Sequence, residues 1–368
     1  MLRLSLTILL LVAAASAWAQ SPAPPSATPA PSPAPSQSPR EKTGVDALEQ
    51  ADLQRALPFI KQHYINAAAL TPVELDRATL EGLIDRLGYG VTLLPVRRGA
   101  PAPTPTPFYR EVLDSHIGYL RPGDLSRPQL QELDTSLRAF SGKKVDALVL
   151  DLRACGAASD YAMAAEFADR FVAKDLPLFA LRGGDAQKPR NFSSTQNAAY
   201  SGLVVVLVDH DTAGSSEVLA AVLRYYDKAI MIGETTAGRA VDYQDLPLPG
   251  GQVLRVAVAE AILADQRPLF PDGLAPDLGV ALPAAEKEYI FQQSLTKGIA
   301  PFVFEVDRPH LNEAALLAGT NPEIDATQAA QERRARGEKP GPHDSVLQRA
   351  VDLVTSIGVY DKQPGHSP

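Results

Sequence analysis

The 368 residues of the chain include only one cysteine, Cys155, the residue that builds disulfides and many zinc sites. They also include only one tryptophan, Trp18. A single cysteine cannot form an internal disulfide, and a four-cysteine zinc site is excluded. An excess of basic charge is also lacking, since the net charge is −8. Nucleic-acid binders are usually basic, so the sequence disfavours that class. Hydrophobic residues at 45% and charged residues at 21% predict a packed core.

Apolar runs long enough to span a bilayer comfortably are also missing. The apolar run Leu4 to Ala15 follows Arg3 and precedes Ala17-Trp18-Ala19, which has small residues where a signal peptidase reads them. We therefore expect residues 1–19 to be a secretory signal, cleaved before Gln20, with an uncleaved N-terminal anchor as the alternative. An exported chain without disulfides fits the bacterial periplasm.

Two proline-rich stretches divide the rest of the chain, since proline fixes φ and removes a backbone donor. Between them, apolar residues recur at helical spacing and predict a helical hairpin. A helix is also predicted from Asp344 to Ile357, at the end of the chain. The expected divisions are a signal peptide (1–19), a Pro-rich linker (20–44), an N-terminal helical segment (45–99), a Pro-rich break (100–107), an α/β core (108–282) and a C-terminal extension with a terminal helix (283–368).

The core alternates apolar strand patterns with amphipathic helix patterns. The strongest strand pattern is the continuous apolar run from Leu203 to Val208. Strands that alternate with helices predict a mainly parallel sheet with crossover helices. Sites in such sheets form where strands end and helices begin, so Asp151 to Asp160 and Asp209 to Glu217 are the segments to examine.

Several motifs follow one another along this core and the leading helical segment. In the core they are Val145-Asp-Ala-Leu-Val-Leu-Asp-Leu-Arg153, Thr212-Ala-Gly-Ser-Ser-Glu217, Ile232-Gly-Glu-Thr-Thr-Ala-Gly-Arg-Ala240, Leu246-Pro-Leu-Pro-Gly250 and Gly273-Leu-Ala-Pro-Asp277, and in the leading helical segment they are His63-Tyr64 and Leu80-Glu-Gly-Leu-Ile84. In this order the motifs resemble the carboxy-terminal processing (tail-specific) serine peptidases. The resemblance covers most of residues 50–282 and implies a fold related to the crotonase and Clp protease cores.

The resemblance implies a serine nucleophile, a neutral lysine as general base and backbone amides that bind the oxyanion. Aligned without gaps, this chain has Gly214 at the nucleophile position, Arg239 at the base position and Tyr243 at the supporting glutamine. Glycine offers no nucleophile, and arginine keeps its proton in proteins. The paired glycines of the oxyanion loop are replaced by Ala157 and Ala158, whose Cβ atoms restrict the backbone.

Neighbouring residues offer substitutes, each with an ordinary structural interpretation beside it. Ser215 and Ser216 are the candidate displaced nucleophiles, although serines at a strand-to-helix turn usually cap the helix. His210 could serve as their base or could simply be solvated. Cys155 could be reactive or a buried thiol. Lys228 is expected at a helix end, and Asp272 and Asp277 in turns.

These residues favour a non-catalytic homologue over an active enzyme. The expected function is polypeptide binding or scaffolding in the cell envelope, with an active serine endopeptidase that uses Ser215 or Ser216 as the alternative. The resemblance would place a PDZ domain, which needs roughly 80–90 residues, before the core. Only about Gly88 to Pro107 fills that gap, so no PDZ domain is expected. We expect no metal and no cofactor, and the sequence does not specify the oligomeric state.

Overall fold

The computed structural model describes residues 44–95, 106–143, 145–156, 159–184, 188–304 and 341–361. The chain divides into two compact units with the boundary after Asp76. The predicted signal peptide, almost all of the Pro-rich linker and most of the Pro-rich break at 100–107 lie outside the described residues. In the described ranges no helix is long and apolar enough to cross a membrane.

The first unit contains helix α1 (Gln50–His63) and the start of helix α2 (Pro72–Leu87), with single 3₁₀ turns at Gly44–Ala47 and Ala67–Ala69. At the beginning of α1, the Glu49 amide donates to Asp52 Oδ2 at 3.2 Å, which satisfies one free backbone donor. Both helices predicted between residues 45 and 87 are therefore present. Their arrangement as a hairpin stays a prediction.

The second unit is built on a six-stranded sheet that is parallel except at one edge. Its strands are β2 (Tyr109–Leu113), β3 (Ile117–Arg121), β4 (Ala147–Asp151), β7 (Leu203–Val208), β8 (Ala229–Gly233) and β11 (Leu278–Gly279). Their spatial order is β11-β8-β7-β4-β3-β2. β2 pairs with β3 antiparallel, and every other neighbouring pair is parallel. The predicted mainly parallel sheet is observed, while its relation to the crotonase and Clp protease cores stays a prediction.

Helices cover both faces of this sheet. One face packs against α3 (Arg127–Ser141), α4 (Tyr161–Ala168) and α5 (Ser215–Tyr225). The other packs against α6 (Ala284–Lys297) and α7 (Ser345–Asp361). Residues after 282, expected to form an extension, thus supply the second helical layer of the core. They do so because the apolar side chains of the strands point alternately to the two faces, so both faces need cover.

A second sheet, entirely antiparallel, was not predicted. Its strands are β1 (Val91–Pro95), β5 (Pro177–Gly183), β6 (Arg190–Ser193), β9 (Val241–Pro247) and β10 (Gln252–Leu263). β10 pairs with β1, β5 and β9, and β6 pairs with β5. The expectation of a purely helical segment over 45–99 is therefore wrong at β1. Its partner, β10, lies far along the chain, with Val91 opposite Val256, so no local pattern specifies the strand.

Candidate functional site

Cys155 follows the carboxyl end of β4, and Gly214, Ser215 and Ser216 follow the carboxyl end of β7, its parallel neighbour in the sheet. The chains leaving these strands stay together, because the Leu152 amide donates to the Leu207 carbonyl at 3.0 Å. The chain after β7 makes a short turn and enters α5. The carboxyl ends of parallel strands form the edge at which α/β proteins place their sites.

Gly214 forms the last residue of that turn, directly before α5. Its φ of 63° and ψ of −124° lie in a region that a residue with a Cβ adopts only under strain. A sharp strand-to-helix turn of this kind is how α/β-hydrolases expose a serine nucleophile. The backbone here therefore makes a turn suited to presenting a nucleophile, but the residue at its tip has no side chain.

Glu217 ties the start of α5 to the segment that carries Arg239. Its carboxylate accepts from Thr236 Oγ1 at 2.5 Å, the Gly238 amide at 2.7 Å and the Arg239 amide at 2.9 Å. The Gly214 amide also hydrogen-bonds this carboxylate. Burial raises the pKa of Glu217, and these hydrogen bonds oppose the rise without cancelling it. The Glu217 carboxylate thus accepts hydrogen bonds mainly from backbone amides that shape the site.

Ser215 and Ser216 are both buried in the first turn of α5. The Ser216 hydroxyl donates to the Ala213 carbonyl at 2.8 Å and lies 3.4 Å from the Cys155 carbonyl. The Ser215 hydroxyl has no hydrogen-bond partner among the described residues. The expectation that these serines cap α5 is wrong, because Gly214 is the N-cap residue and neither serine hydroxyl accepts a hydrogen bond from a backbone amide of the helix. Neither serine is hydrogen-bonded to a basic side chain.

Arg239 and Tyr243 share one contact residue, Tyr89. The Arg239 guanidinium lies over the Tyr89 ring, with its central carbon 3.8 Å from the ring centroid. The Tyr243 hydroxyl donates to the Tyr89 carbonyl at 3.0 Å. Both side chains therefore hold the 3₁₀ turn Gly88–Gly90, just before β1. Cation–π geometry of this kind contributes about 0.5–2 kcal/mol.

The other candidates have structural or solvated surroundings. His210 is 59% exposed, and its ring lies 3.9 Å from a Glu234 carboxylate oxygen. Cys155 is buried, and burial raises the pKa of its thiol well above the ordinary value, so the reactive thiolate is disfavoured. Ala157 and Ala158, expected in the oxyanion loop, lie outside the described residues.

Asp272 and Asp277 were predicted to lie in turns, and Lys228 at the end of a helix. Asp277 accepts from the Met231 amide at 2.8 Å and pairs with Arg224 at 2.6 Å, which ties α5 to β8. Asp272 precedes Gly273, whose φ is 74°, in the expected turn. Lys228 is exposed beyond the end of α5.

The sequence model of peptidase family S41 matches residues 116–280. This segment belongs to that family. Carboxy-terminal processing protease CtpB of Bacillus subtilis (strain 168) is 25% identical over 234 residues, which cover 60% of this chain and 48% of that protein. Carboxy-terminal processing protease CtpA of the same bacterium is 24% identical over 253 residues, covering 67% and 52%. The chain thus spans about half the length of these relatives.

Among solved structures, the photosystem II D1 C-terminal processing protease is similar at a TM-score of 0.40 and 24% identity, over 57% of this chain and 53% of that one. The family match and the names of the two Bacillus subtilis relatives confirm the resemblance to carboxy-terminal processing peptidases that the motifs indicated.

A buried ion-pair network, missed by the sequence analysis, fixes the S41 domain's strand β4 to the C-terminal helix. Arg153 donates to both carboxylate oxygens of Asp151, at 2.9 and 2.7 Å, and to both of Asp344, at 3.0 and 2.8 Å. Asp344 also accepts from the Leu347 amide at 2.9 Å and so starts α7. Burial alone would raise the pKa of Asp151, but the Arg153 guanidinium outweighs it and the pKa is lowered.

Lys287 is a second residue that sequence reasoning missed. It reaches from α6 to the end of β7, where its ammonium lies 2.5 Å from Asp209 Oδ2 and 2.7 Å from Asp211 Oδ2. Burial would lower the pKa of Lys287, but the two carboxylates raise it above its usual value. A lysine general base must be neutral, so Lys287 is a structural cation and is not suited to act as a general base.

A cleft of about 420 Å³ opens beside the first turn of α4. Its wall on the antiparallel sheet comes from β6 and from Asp242, the residue before Tyr243. The lining contains the rings of Phe192 and Tyr161, the amide of Asn191 and the hydroxyl of Ser159. It also contains the ion pair between Arg190 and Asp242. The lining residues are Ser159, Asp160, Tyr161, Ala162, Arg190, Asn191, Phe192 and Asp242. No group of three or more potential metal ligands occurs in the parts of the chain that the structure describes.

Proposed function

We propose that this chain is an exported S41 homologue that binds polypeptide in the cell envelope without cleaving it. The proposal rests on the residues found at the two catalytic positions. Gly214 is at the position of the nucleophile, and Arg239 is at the position of the general base. What is missing is the reacting side chain and not the backbone conformation, because the turn at Gly214 still has φ and ψ angles suited to presenting a nucleophile.

The base position supports this proposal further. Arginine does not lose its proton in proteins, and the Arg239 guanidinium is stacked on the Tyr89 ring. Tyr243 bonds the same residue, so the two positions act together in holding the turn before β1. The side chains at the two positions that would support a serine nucleophile thus contact Tyr89.

An active serine endopeptidase with a displaced nucleophile is the second candidate, and one observation favours it. The Ser215 hydroxyl has no hydrogen-bond partner in the described part of the chain, as a nucleophile awaiting substrate would. Against it, the Ser215 side chain is fully buried and no base is hydrogen-bonded to it. Ser216 is less suited, because its hydroxyl is committed to a backbone carbonyl.

The cleft beside α4 is the proposed polypeptide site. β6 forms the end of the antiparallel sheet order, and an extended peptide can add to such an edge through main-chain hydrogen bonds. Phe192, stacked on Phe179 at 4.6 Å between centroids, supplies apolar surface, and Asn191 supplies amide donors and an acceptor.

The proposal is tested by measuring binding and cleavage of one fluorescent unstructured polypeptide. We expect a rise in its fluorescence anisotropy with no cleavage products. Ala162→Arg fills the cleft from an exposed helix position and should abolish the rise. Ala139→Arg, at an exposed position of α3 that does not line the cleft, is the matched control and should leave binding unchanged. Cleavage by the unaltered chain, or binding that both variants retain, would contradict the proposal.

A further inference from the structure

The cleft beside α4 has an excess of negative charge among the described residues that line it. Asp160 comes from the start of α4, Asp242 comes from β9, and Arg190 from β6 carries the opposing positive charge. The side chains of Arg190 and Asp242 are 58% and 30% exposed, and Asp160 is also exposed. These charged groups can therefore meet a ligand, and one carboxylate among them has no cationic partner in the lining.

Each of the two aspartates has a carboxylate oxygen that is available as an acceptor. Asp160 Oδ1 accepts from the Met163 amide at 3.1 Å and so caps α4, and Asp242 Oδ2 accepts from Arg190. The other oxygen of each carboxylate accepts no hydrogen bond from the residues that the structure describes. Because both oxygens of an ionised carboxylate are acceptors, each aspartate can still take a donor from a ligand.

A basic ligand and an acidic ligand meet this cleft on different terms. The ammonium of a lysine or the guanidinium of an arginine can bind a free carboxylate oxygen while the pair between Arg190 and Asp242 stays intact. A carboxylate has to take Arg190 from Asp242, and it leaves the Asp242 carboxylate unpaired beside a charge of the same sign. The positive end of the α4 dipole offsets part of the Asp160 charge, so Asp242 should determine most of the preference.

The aromatic lining of the cleft also suits a basic side chain. Phe192 has one ring face stacked on Phe179, at 4.6 Å between centroids with 16° between the ring planes, which leaves its other face for a ligand. The alkyl stem of a lysine or arginine packs on such a face, and the cation is attracted to it. The Tyr161 hydroxyl donates to the Val241 carbonyl at 2.7 Å, so it does not occupy the free carboxylate oxygens.

We infer that this cleft selects polypeptides by a basic side chain, lysine or arginine, whose cation binds Asp242 and whose stem packs on Phe192. The inference rests on the proposed binding of polypeptide at the cleft and adds the chemistry of the residue that is recognised. Asp242 determines the preference. Arg190 weakens it, because its guanidinium places a like charge beside the incoming cation.

The first test compares fluorescent peptides that differ only at one central residue, which is lysine, glutamine or glutamate in an otherwise uncharged sequence with blocked ends. Their dissociation constants, measured by fluorescence anisotropy at low salt, should increase in that order. The lysine peptide should bind roughly fivefold tighter than the glutamate peptide, as expected for one partly exposed ion pair. Added salt should reduce this preference, because it screens exposed charges.

The variants then assign the preference to the cleft. Asp242→Asn removes the negative charge and frees Arg190, so the glutamate peptide should bind at least as tightly as the lysine peptide. Arg190→Gln should strengthen the preference for lysine. Asp245→Asn is the matched control, because Asp245 also lies in β9 and pairs with an arginine, Arg255, but does not line the cleft. It should leave the preference unchanged.

The outcomes separate this inference from the proposed function. Equal affinities for the lysine and glutamate peptides, or the same preference in Asp242→Asn as in Asp245→Asn, would overturn the inference and leave polypeptide binding at the cleft standing. An unchanged preference in Arg190→Gln would overturn it too, and this result does not depend on how Asp242→Asn folds. Failure of every peptide to bind the unaltered chain would contradict the proposed function, and the inference with it.

Discussion

At the scale of single residues, the proposal of a silent site depends on the side chains at a few positions. Gly214 forms the turn before α5, and Glu217 accepts hydrogen bonds from the amides that shape this turn. Arg239 and Tyr243, at the proposed base and support positions, contact Tyr89. The geometry around these residues is thus maintained by interactions that need neither a nucleophile nor a base.

Restoring a hydroxyl at the turn is expected to cost stability and to give no proteolysis. Gly214→Ser places a Cβ at a φ of 63°, which should lower the free energy of unfolding by about 1–3 kcal/mol. Gly250→Ser is the control, because Gly250 has open space around its Cβ position and no positive φ, and should change stability little. Urea denaturation measures both. Equal stability of the two variants, or cleavage of polypeptide by Gly214→Ser, would contradict this account of the turn.

At the scale of secondary-structure elements, β7 is the centre of the molecule. Val205 and Leu207 face α6 and α7, whereas Val204, Val206 and Val208 face the opposite helices. The alternation explains why this strand shows a continuous apolar run: both of its faces are covered. The sequence therefore predicts β7 correctly even though it could not say which helices cover each face.

Truncation of either strand residue that faces α6 and α7 should destabilise the fold. Val205→Ala and Leu207→Ala are expected to lower the free energy of unfolding by about 1–4 kcal/mol, and Leu207→Ala more, since it leaves the larger cavity. Leu246→Ala in β9 is the control, because Leu246 is 56% exposed. Denaturation midpoints unchanged by the two core substitutions would show that β7 is misplaced.

The network that joins β4 to α7 predicts a specific loss of stability in acid. The pKa of Asp151 is lower in the folded chain than in the unfolded chain, so its contribution to stability is complete above about pH 4 and is lost as the pH falls below that value. Asp151→Asn should be less stable at neutral pH. Its free energy of unfolding should also fall less steeply than that of the unaltered chain below about pH 4. Parallel pH profiles for the two proteins would rule out this role for Asp151.

At the scale of the whole molecule, the sequence predicted the strands and helices that are determined by the residues of one short segment. Apolar runs identified the parallel strands, and helical spacing identified α1, α2 and α7. The antiparallel sheet was missed because β1 and β5 pair with the distant strand β10. Arg153 and Asp344 lie 191 residues apart, so no spacing in the sequence indicates their pairing. Lys287 pairs with two aspartates that lie 78 and 76 residues before it, so no spacing in the sequence indicates this contact either.

Export makes a prediction about the mature chain. If residues 1–19 are a cleaved signal, the mature protein begins at Gln20 and contains no tryptophan, because Trp18 is removed with the signal. Intact-mass analysis of the protein from the cell envelope should give the mass without residues 1–19, and its emission spectrum should show tyrosine alone. A mass that includes those residues would support the uncleaved anchor instead.

The central claim, that the S41 site of this chain is catalytically silent, is tested most directly by labelling with a fluorophosphonate, which reacts with activated serines. The loss of nucleophile and base at Gly214 and Arg239 predicts no stoichiometric adduct by mass spectrometry, and the same result for Ser215→Ala and Ser216→Ala. A stoichiometric adduct on Ser215 or Ser216, lost together with proteolysis in the matching alanine variant, would contradict the claim and identify that serine as a displaced nucleophile.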